Sequence, residues 1–408
     1  MSLNIALTGI NAANEDLSVV SNNLANVATT GFKGSRTEFA DLYASGQDGT
    51  GSTSTGNGVE VSEVAQQFTQ GNIETTGNNL DLAISGNGFF VVSNNGALNY
   101  TRDGEFQLNS QGQVVTANGE ALQGYPALAD GTFNTGGMSD ITLNTTESQP
   151  LATSTASITA NLPADATVPT DATFNPTDPE SYNNTTSLTV YDSLGAAHTA
   201  SLYFIKGAAA NAWTAQMYVD GTAVGTPQAL VYSAAGTLTT PANGQIDFGS
   251  YTPATGASPM NMTFNFNQTT QYGGNFGVTA VQQNGYTTGQ LTGISISDTG
   301  VVQAQFTNGN SVNLGQVALS NFANEQGLQQ LGNSTWAETN ASGAAVNGVA
   351  GGSGFGSIQS GSLEESNVDT TSALVEMITA QRDFQANAQM IQTQNAVTES
   401  IIQINPNG

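Results

Sequence analysis

The chain has 408 residues, of which only 9% are charged; 5 Lys and Arg stand against 31 Asp and Glu, a formal net charge of -26, and there is no cysteine. Five cations cannot build the positive face that nucleic acid or an anionic membrane surface requires. Disulfides cannot contribute to stability, no stretch reaches the length of an apolar helical membrane span, and the size implies two to four domains.

The first 28 residues carry a heptad pattern. Leu3, Ile10, Leu17 and Leu24 recur every seven positions, as do Ala6, Ala13, Val20 and Val27, which together fill the a and d positions of a helix. Asparagine falls off that seam, at 4, 11, 14, 22, 23 and 26. Gly31 follows and suits a left-handed cap. Two of every eight seam residues are alanine, so burial of the seam falls short of the entropy lost in ordering the segment. The segment is therefore expected to be helical only when packed against other copies, with asparagine keeping the free arm soluble and offering amides once packed. The opening MSLNIALTGI lacks the cationic start and continuous apolar core of an ordinary signal peptide. The expectation is a cytosolic protein, or one exported without a cleaved signal.

Beyond this helix the pattern shifts to period two. Residues 45–58 (SGQDGTGSTSTGNG) and 348–356 (GVAGGSGFG) read as flexible joints. Between them, His198, Ala200, Leu202 and Phe204 alternate with polar residues, as do Trp213, Ala215, Met217 and Val219, which predicts a hairpin. Met260, Met262, Phe264 and Phe266 predict a half-buried strand. Asn-Gly and Asp-Gly pairs recur through the middle, among them 95–96, 130–131 and 220–221, each a hairpin-turn signal. A Thr-, Pro- and Ala-rich shift near 145–185 marks an insertion. From Asp369, a candidate N-cap with Asn367 as the alternative, a second helix runs to about Asn405, with a seam through Leu374, Met377, Phe384, Ala388, Ile391 and Ile402. The expected fold is mainly β with α-helical termini that form a coiled-coil domain, plus two nested all-β domains. The expected boundaries are 1–30 and 367–408 for the terminal helices and 31–70 and 349–366 for linkers. Residues 71–145 and 284–348 would make one β domain, and 146–283 an inserted outer β domain. The expected assembly interface is Leu3, Ile10, Leu17, Val20, Leu24, Val27, Leu374, Met377, Phe384 and Ile391.

The search for chemistry finds little. The one histidine, His198, reads as a structural residue at a strand start, and no G-x-S-x-G elbow, zinc cluster, EF-hand loop or P-loop is present. No catalytic, cofactor or metal site is expected. Glu364, Glu365 and Asp369 read as the acidic start of the last helix. Lys33, Arg36 and Arg382 are either solvated or paired with acidic groups of neighbouring copies. Two function classes follow: a structural polymer subunit, and a secreted β-rich binding protein or enzyme. Removal of residues 1–28 separates them, because only the polymer subunit would lose its activity with its β core intact.

The stretch SNNLANVATTGFKG (21–34) resembles the N-terminal signature of the bacterial flagellar axial proteins, the rod, hook and hook-associated family. Its signature positions here are Asn22, Asn23, Asn26, Gly31, Phe32 and Lys33. SNVDTTSALVEMITAQRDFQANAQMIQT (366–393), with Gln381 and Arg382, resembles the family's C-terminal signature, and GNIETTGNNLDLAISGNGFFVV (71–92) followed by YTRDGEFQLNSQGQVVTANGEALQGYP (100–126) looks like its central one. The β insertion, VYDSLGAAHTASLYFIK (190–206) and LGQVALSNFANEQGLQQLGNSTW (314–336) are most similar to the hook branch; a distal rod or hook-associated junction protein is the alternative. The ending IIQINPNG departs from relatives in lacking a basic residue. The resemblance implies an extracellular homopolymer of many copies: a curved tube that transmits torque from motor rod to filament, with the terminal helices innermost. It further implies contacts with the rod, the hook cap and the hook–filament junction proteins, and passage through the flagellar type III export apparatus. It implies no cofactor, no nucleic acid and no membrane insertion.

Overall fold

The computed structural model describes residues 2–42, 56–128, 131–143 and 147–404. The joint expected at 45–58 therefore lies mostly outside the described residues, as do Asp130 and the tail from Asn405. The chain is mainly β with one long helix near each end, α1 (Ser2–Ala25) and α2 (Thr370–Ile404). It forms two units: Met1–Asn144, Ile294–Ala304 and Val312–Gly408 make the first, and Thr145–Gly293 with Gln305–Ser311 the second.

In the first unit α1 packs antiparallel along α2. Gly9 faces Asn387, and a side chain added there would meet the asparagine amide. Val20 and Asn23 lie across from Ser372 and Ala373. Small residues allow this close approach: Ala6, Ala12, Ala13, Val19 and Val20 of α1 and Ala373 and Ala380 of α2 are all buried. Here the structure corrects two expectations. The helices have a partner within their own chain, and only one half of the predicted seam faces it. The alanine half of the α1 heptad is covered, whereas Leu3 is 45% exposed and Ile10, Leu17 and Leu24 are only half-buried. On α2, Met377 and Ile391 are half-buried, while Leu374 and Phe384 face outward. The physical reason is that a helix can approach another closely only where the contacting side chains are short, so the bulky positions turn away. Asp369 caps α2, accepting from the Ser372 N–H at 2.7 Å.

Two further expectations are corrected. Residues 31–70 and 349–366 read as linkers, yet most of both belongs to the first unit's strands. β1 (Ser35–Asp41) and β2 (Val59–Gln66) pair antiparallel from Ser35↔Gln66 to Asp41↔Val59, with a bulge at Glu38/Phe39. Ser357–Ser360 pairs with Leu82–Ser85, and Ser362–Glu364 with Ile73–Thr75. The glycines that made these stretches look loose serve turns with positive φ, such as Gly354 and Gly361. The unit's main sheet centres on Phe89–Asn94, which pairs with Ala97–Thr101 and Ala121–Pro126. Its FFVV run is buried on both faces. Phe90 and Val92 join Leu82, Ile84, Phe106, Leu122 and Leu319 on one side, and Phe89 and Val91 join Tyr100, Phe322 and Trp336 on the other.

The second unit is built of two five-stranded sheets. One holds Thr155–Pro163, Gln245–Tyr251, Met260–Asn265, Thr270–Tyr272 and Gly277–Gln283; the other holds Asn184–Tyr191, Ala197–Lys206, Ala212–Val219, Thr222–Tyr232 and Leu238–Thr240. The hairpin read from periodicity is present, with Leu202 opposite Met217. Met262, Phe264 and Phe266 are fully buried in the same core as Phe204 and Trp213. Asp220 and Gly221, both at positive φ, turn the next hairpin.

Candidate functional site at the helix–strand junction

The SNNLANVATTGFKG stretch builds a joint, and each of its special residues has a local reason. Asn26 closes α1: its side chain donates to the Asn22 carbonyl at 2.9 Å and accepts from the Thr29 hydroxyl at 3.2 Å. Asn23 is buried and grips the backbone of Ser35 twice, donating to its carbonyl at 2.7 Å and accepting from its N–H at 2.8 Å. The amide thus imitates a neighbouring strand and docks the start of β1 on the helix end. Asn367, just before α2, does the same from the other side. It accepts from the Gly34 N–H at 2.8 Å and donates to the carbonyls of Gln67 at 2.6 Å and Thr69 at 3.1 Å. Gly31 has φ +65, its N–H donates to the Glu364 carbonyl at 2.8 Å, and a Cβ there would meet the backbone of Arg102 and Asp103. Phe32 is buried beside it.

Beneath these contacts lies an ion cluster. Lys33 donates to Glu364 Oε1 at 2.7 Å and to the Thr69 carbonyl at 2.8 Å; both charged side chains have no exposed surface. The Gly71 N–H reaches the same carboxylate oxygen at 2.8 Å. Arg102 takes Glu364 Oε2 at 3.2 Å and the Gly86 carbonyl at 2.9 Å, and its guanidinium lies 5.3 Å from the Phe89 ring centre. Burial pushes the Lys33 ammonium down, and the Glu364 charge only partly restores it. Glu325 is a second, half-buried anion: burial raises its pKa while Arg102 and Lys33 pull it down. Two expectations fall here. Lys33 is not available to a neighbouring copy, and Glu364 is not a surface acid at a helix start. Arg36 is exposed but pairs with Glu38 in its own strand at 2.7 Å. Gln381 and Arg382 are exposed on α2, away from this cluster.

The junction thus ties three pieces of chain that are remote in sequence: the end of α1, the lead-in to α2, and the 69–102 region of the β unit. A buried ion cluster adds little net stability, but it permits one register and punishes others, since any slip strands a charge. Chemically the site holds no nucleophile–base pair; its capacity is mechanical. Sequence reasoning missed Arg102 and gave Glu364 and Asn367 only a place at the start of the last helix, not their bonds to Lys33, Arg102 and Gly34. The available signal was scarcity: of five cations in the whole chain, three (Lys33, Arg102 and Lys206) are buried.

Residues 3–33 match the flagella basal body rod protein family, and 359–404 the C-terminal family of the flagellar basal body rod FlgEFG proteins. Residues 83–174 match the flagellar hook protein FlgE/F/G D1 domain, and 161–286 the flagellar basal body protein FlaE D2 domain. These matches define a structural protein of the flagellar axis, not an enzyme. The flagellar hook protein FlgE of Salmonella typhimurium is 38% identical over 413 residues, 99% of this chain and 100% of that one. That of Escherichia coli K12 is 38% identical over 414 residues, with 99% and 100% covered. The crystal structure of Helicobacter pylori flagellar hook protein FlgE2 shares the fold, with a TM-score of 0.51 at 13% identity over 70% of this chain and 99% of that one. The chain belongs to the flagellar hook protein family, and is a homopolymer-forming, extracellular component of the flagellum.

Proposed function

We propose that the outward helix face is the surface through which copies of this chain join into the hook tube, and that the junction sets the attitude of the β structure on that tube. The observation that carries this is the row of bulky apolar residues left uncovered on both helices. Leu3, Leu7, Leu374, Val375, Ile378 and Phe384 are between 37% and 59% exposed. A soluble monomer gains nothing from such a stripe, and a neighbouring copy gains its burial. Ile10, Leu17, Leu24, Val27, Met377 and Ile391 flank the stripe and would complete the contact; Val20 is already covered by its own chain.

The helical bundle supplies stiffness for torque, through the interface just named. The β surfaces supply compliance. Their outward positions are amide and hydroxyl residues, as with Asn261, Thr263 and Asn265, which form wet contacts that exchange easily as the hook bends. The domain reading that goes with this is that the terminal helices are the part of the chain that lines the tube. The proposed partners beyond other copies are the rod, the hook cap, the hook–filament junction proteins and the flagellar type III export apparatus. The test is assembly of purified Leu7→Asp/Ile378→Asp chain, followed by electron microscopy and sedimentation. The expected result is native circular dichroism with no polymer, while Asn261→Asp still polymerises. Polymer from the double variant at the wild-type level overturns the proposal.

A further inference from the structure

The only histidine of the chain sits between two carboxylates. His198 begins the inward-facing row of Ala197–Lys206 and is 7% exposed. Its Nδ1 lies 2.6 Å from Asp220 Oδ2 and its Nε2 3.2 Å from Asp192 Oδ2. An ionised carboxylate can only accept, so a ring facing one at each nitrogen must donate from both and is an imidazolium. Neutral imidazole would point a lone pair at one of the two oxygens.

Each carboxylate also holds a turn. Asp192 Oδ1 accepts from the N–H groups of Leu194 and Ala196, both at 2.9 Å, and so shapes the turn between Asn184–Tyr191 and Ala197–Lys206. Asp220 Oδ1 accepts from the Thr199 N–H at 2.9 Å, and Asp220 is itself the positive-φ residue of the next hairpin turn. The Oδ2 atoms that face the ring each accept a second hydrogen bond, from the Thr255 hydroxyl to Asp192 at 2.7 Å and from the Tyr251 hydroxyl to Asp220 at 3.3 Å. One protonated ring therefore fastens two turns and the segment after Gln245–Tyr251.

We propose that Asp192, His198 and Asp220 form a pH-gated clasp at the turn end of the second unit, closed while the imidazole is charged and slack once it loses its proton. The titratable groups facing the ring are Asp192, Asp220 and Tyr251. Burial would lower the histidine's pKa, but hydrogen bonds and charge from Asp220 and Asp192 outweigh it and raise it above 6.5. Burial likewise pushes Asp192 up, and hydrogen bonds from Thr255, His198 and the turn amides bring it down to about 2. Asp220 is lowered by His198 and Thr199 against the same burial. Burial and the Asp220 charge raise Tyr251, so it stays neutral through this range. For a histidine raised in the fold, the stabilisation is complete below 6.5 and disappears as pH rises through the folded midpoint. The depressed aspartates place the acid limit below 3.8. The clasp is thus closed below 6.5 and slackens as pH rises through the folded midpoint, which lies above that value.

A single histidine makes the test direct. Imidazole nitrogen NMR of the full chain, titrated from pH 5 to 10, should show both nitrogens protonated at pH 5 and one midpoint above 6.5. The protection of the Ala196 and Thr199 amides, corrected for intrinsic exchange, should fall several-fold across that midpoint. His198→Gln should abolish this step. A single-nitrogen tautomer at pH 5, a midpoint at or below 6.5, or an unchanged amide step in His198→Gln overturns the proposal. The wild-type titration decides even if the variant does not fold.

Discussion

Consider Glu364→Gln. The native carboxylate is fully buried and meets Lys33, the Gly71 N–H and Arg102 at 2.7, 2.8 and 3.2 Å. Glutamine keeps the shape and one acceptor but turns an NH2 toward a cation, and it removes the only fully buried anion between two buried cations. Breaking a buried ion pair from one side costs about 3–5 kcal/mol. With a urea slope of about 1–3 kcal/mol per molar, the midpoint of the first unit should fall by about 1–5 M. Hydrogen exchange read by mass spectrometry along a urea series resolves the units: peptides over Phe89–Asn94 should shift and those over Met260–Asn265 should not. Lys33→Met is the control. It removes the lysine's bonds to Glu364 and Thr69 but leaves Glu364 held by Arg102 and the Gly71 N–H, so it should cost less, about 1–3 kcal/mol. In Glu364→Gln the buried lysine loses the charge that supported its proton, so its folded pKa falls further below the unfolded 10.5. The folded state then binds fewer protons, and the variant should regain stability as pH rises through the window below that value. If Lys33→Met proves the costlier change, or Glu364→Gln costs under about 1 kcal/mol, the charge-balance reasoning at the junction is wrong.

Gly31→Ala should destabilise the first unit by about 1–3 kcal/mol, because the position combines φ +65 with backbone contact at Arg102 and Asp103; thermal unfolding of the full chain reads it. Burial raises the Asp103 carboxyl from 3.8 to about 6, with Glu105 and Asp81 adding repulsion. The folded state therefore binds the extra proton between those values, so the first unit should gain stability as pH falls from 7 to 4; Asp103→Asn should flatten that slope in hydrogen exchange at fixed temperature. Of the five cations only Arg36 and Arg382 are exposed, so the charge that copies present to one another is almost wholly negative. Polymers should dissociate more readily at 10 mM than at 150 mM salt, where the screening length shrinks from about 30 to about 8 Å; sedimentation showing the opposite trend removes self-repulsion as the cause.

Periodicity alone identified the terminal helices, the hairpin through Leu202 and Met217, and the strand through Phe264, because each is a local pattern that one face of one element must satisfy. The signature stretch marked the right place on the chain without disclosing its purpose. What escaped was whatever depends on partners far away in sequence. Lys33 and Glu364 are 331 positions apart, and no spacing rule links them. The same limit divided the helix seam wrongly. Heptad spacing shows which residues are apolar, but alanine and leucine satisfy it equally, and only the packed pair shows that alanine turns toward α2 while leucine turns away. Glycine misled for a related reason: composition cannot tell a flexible joint from a tight turn with positive φ. Local pattern fixes which elements form. Which of their faces meet, and which charges end up buried together, depends on close approach in space and so belongs to the tertiary structure.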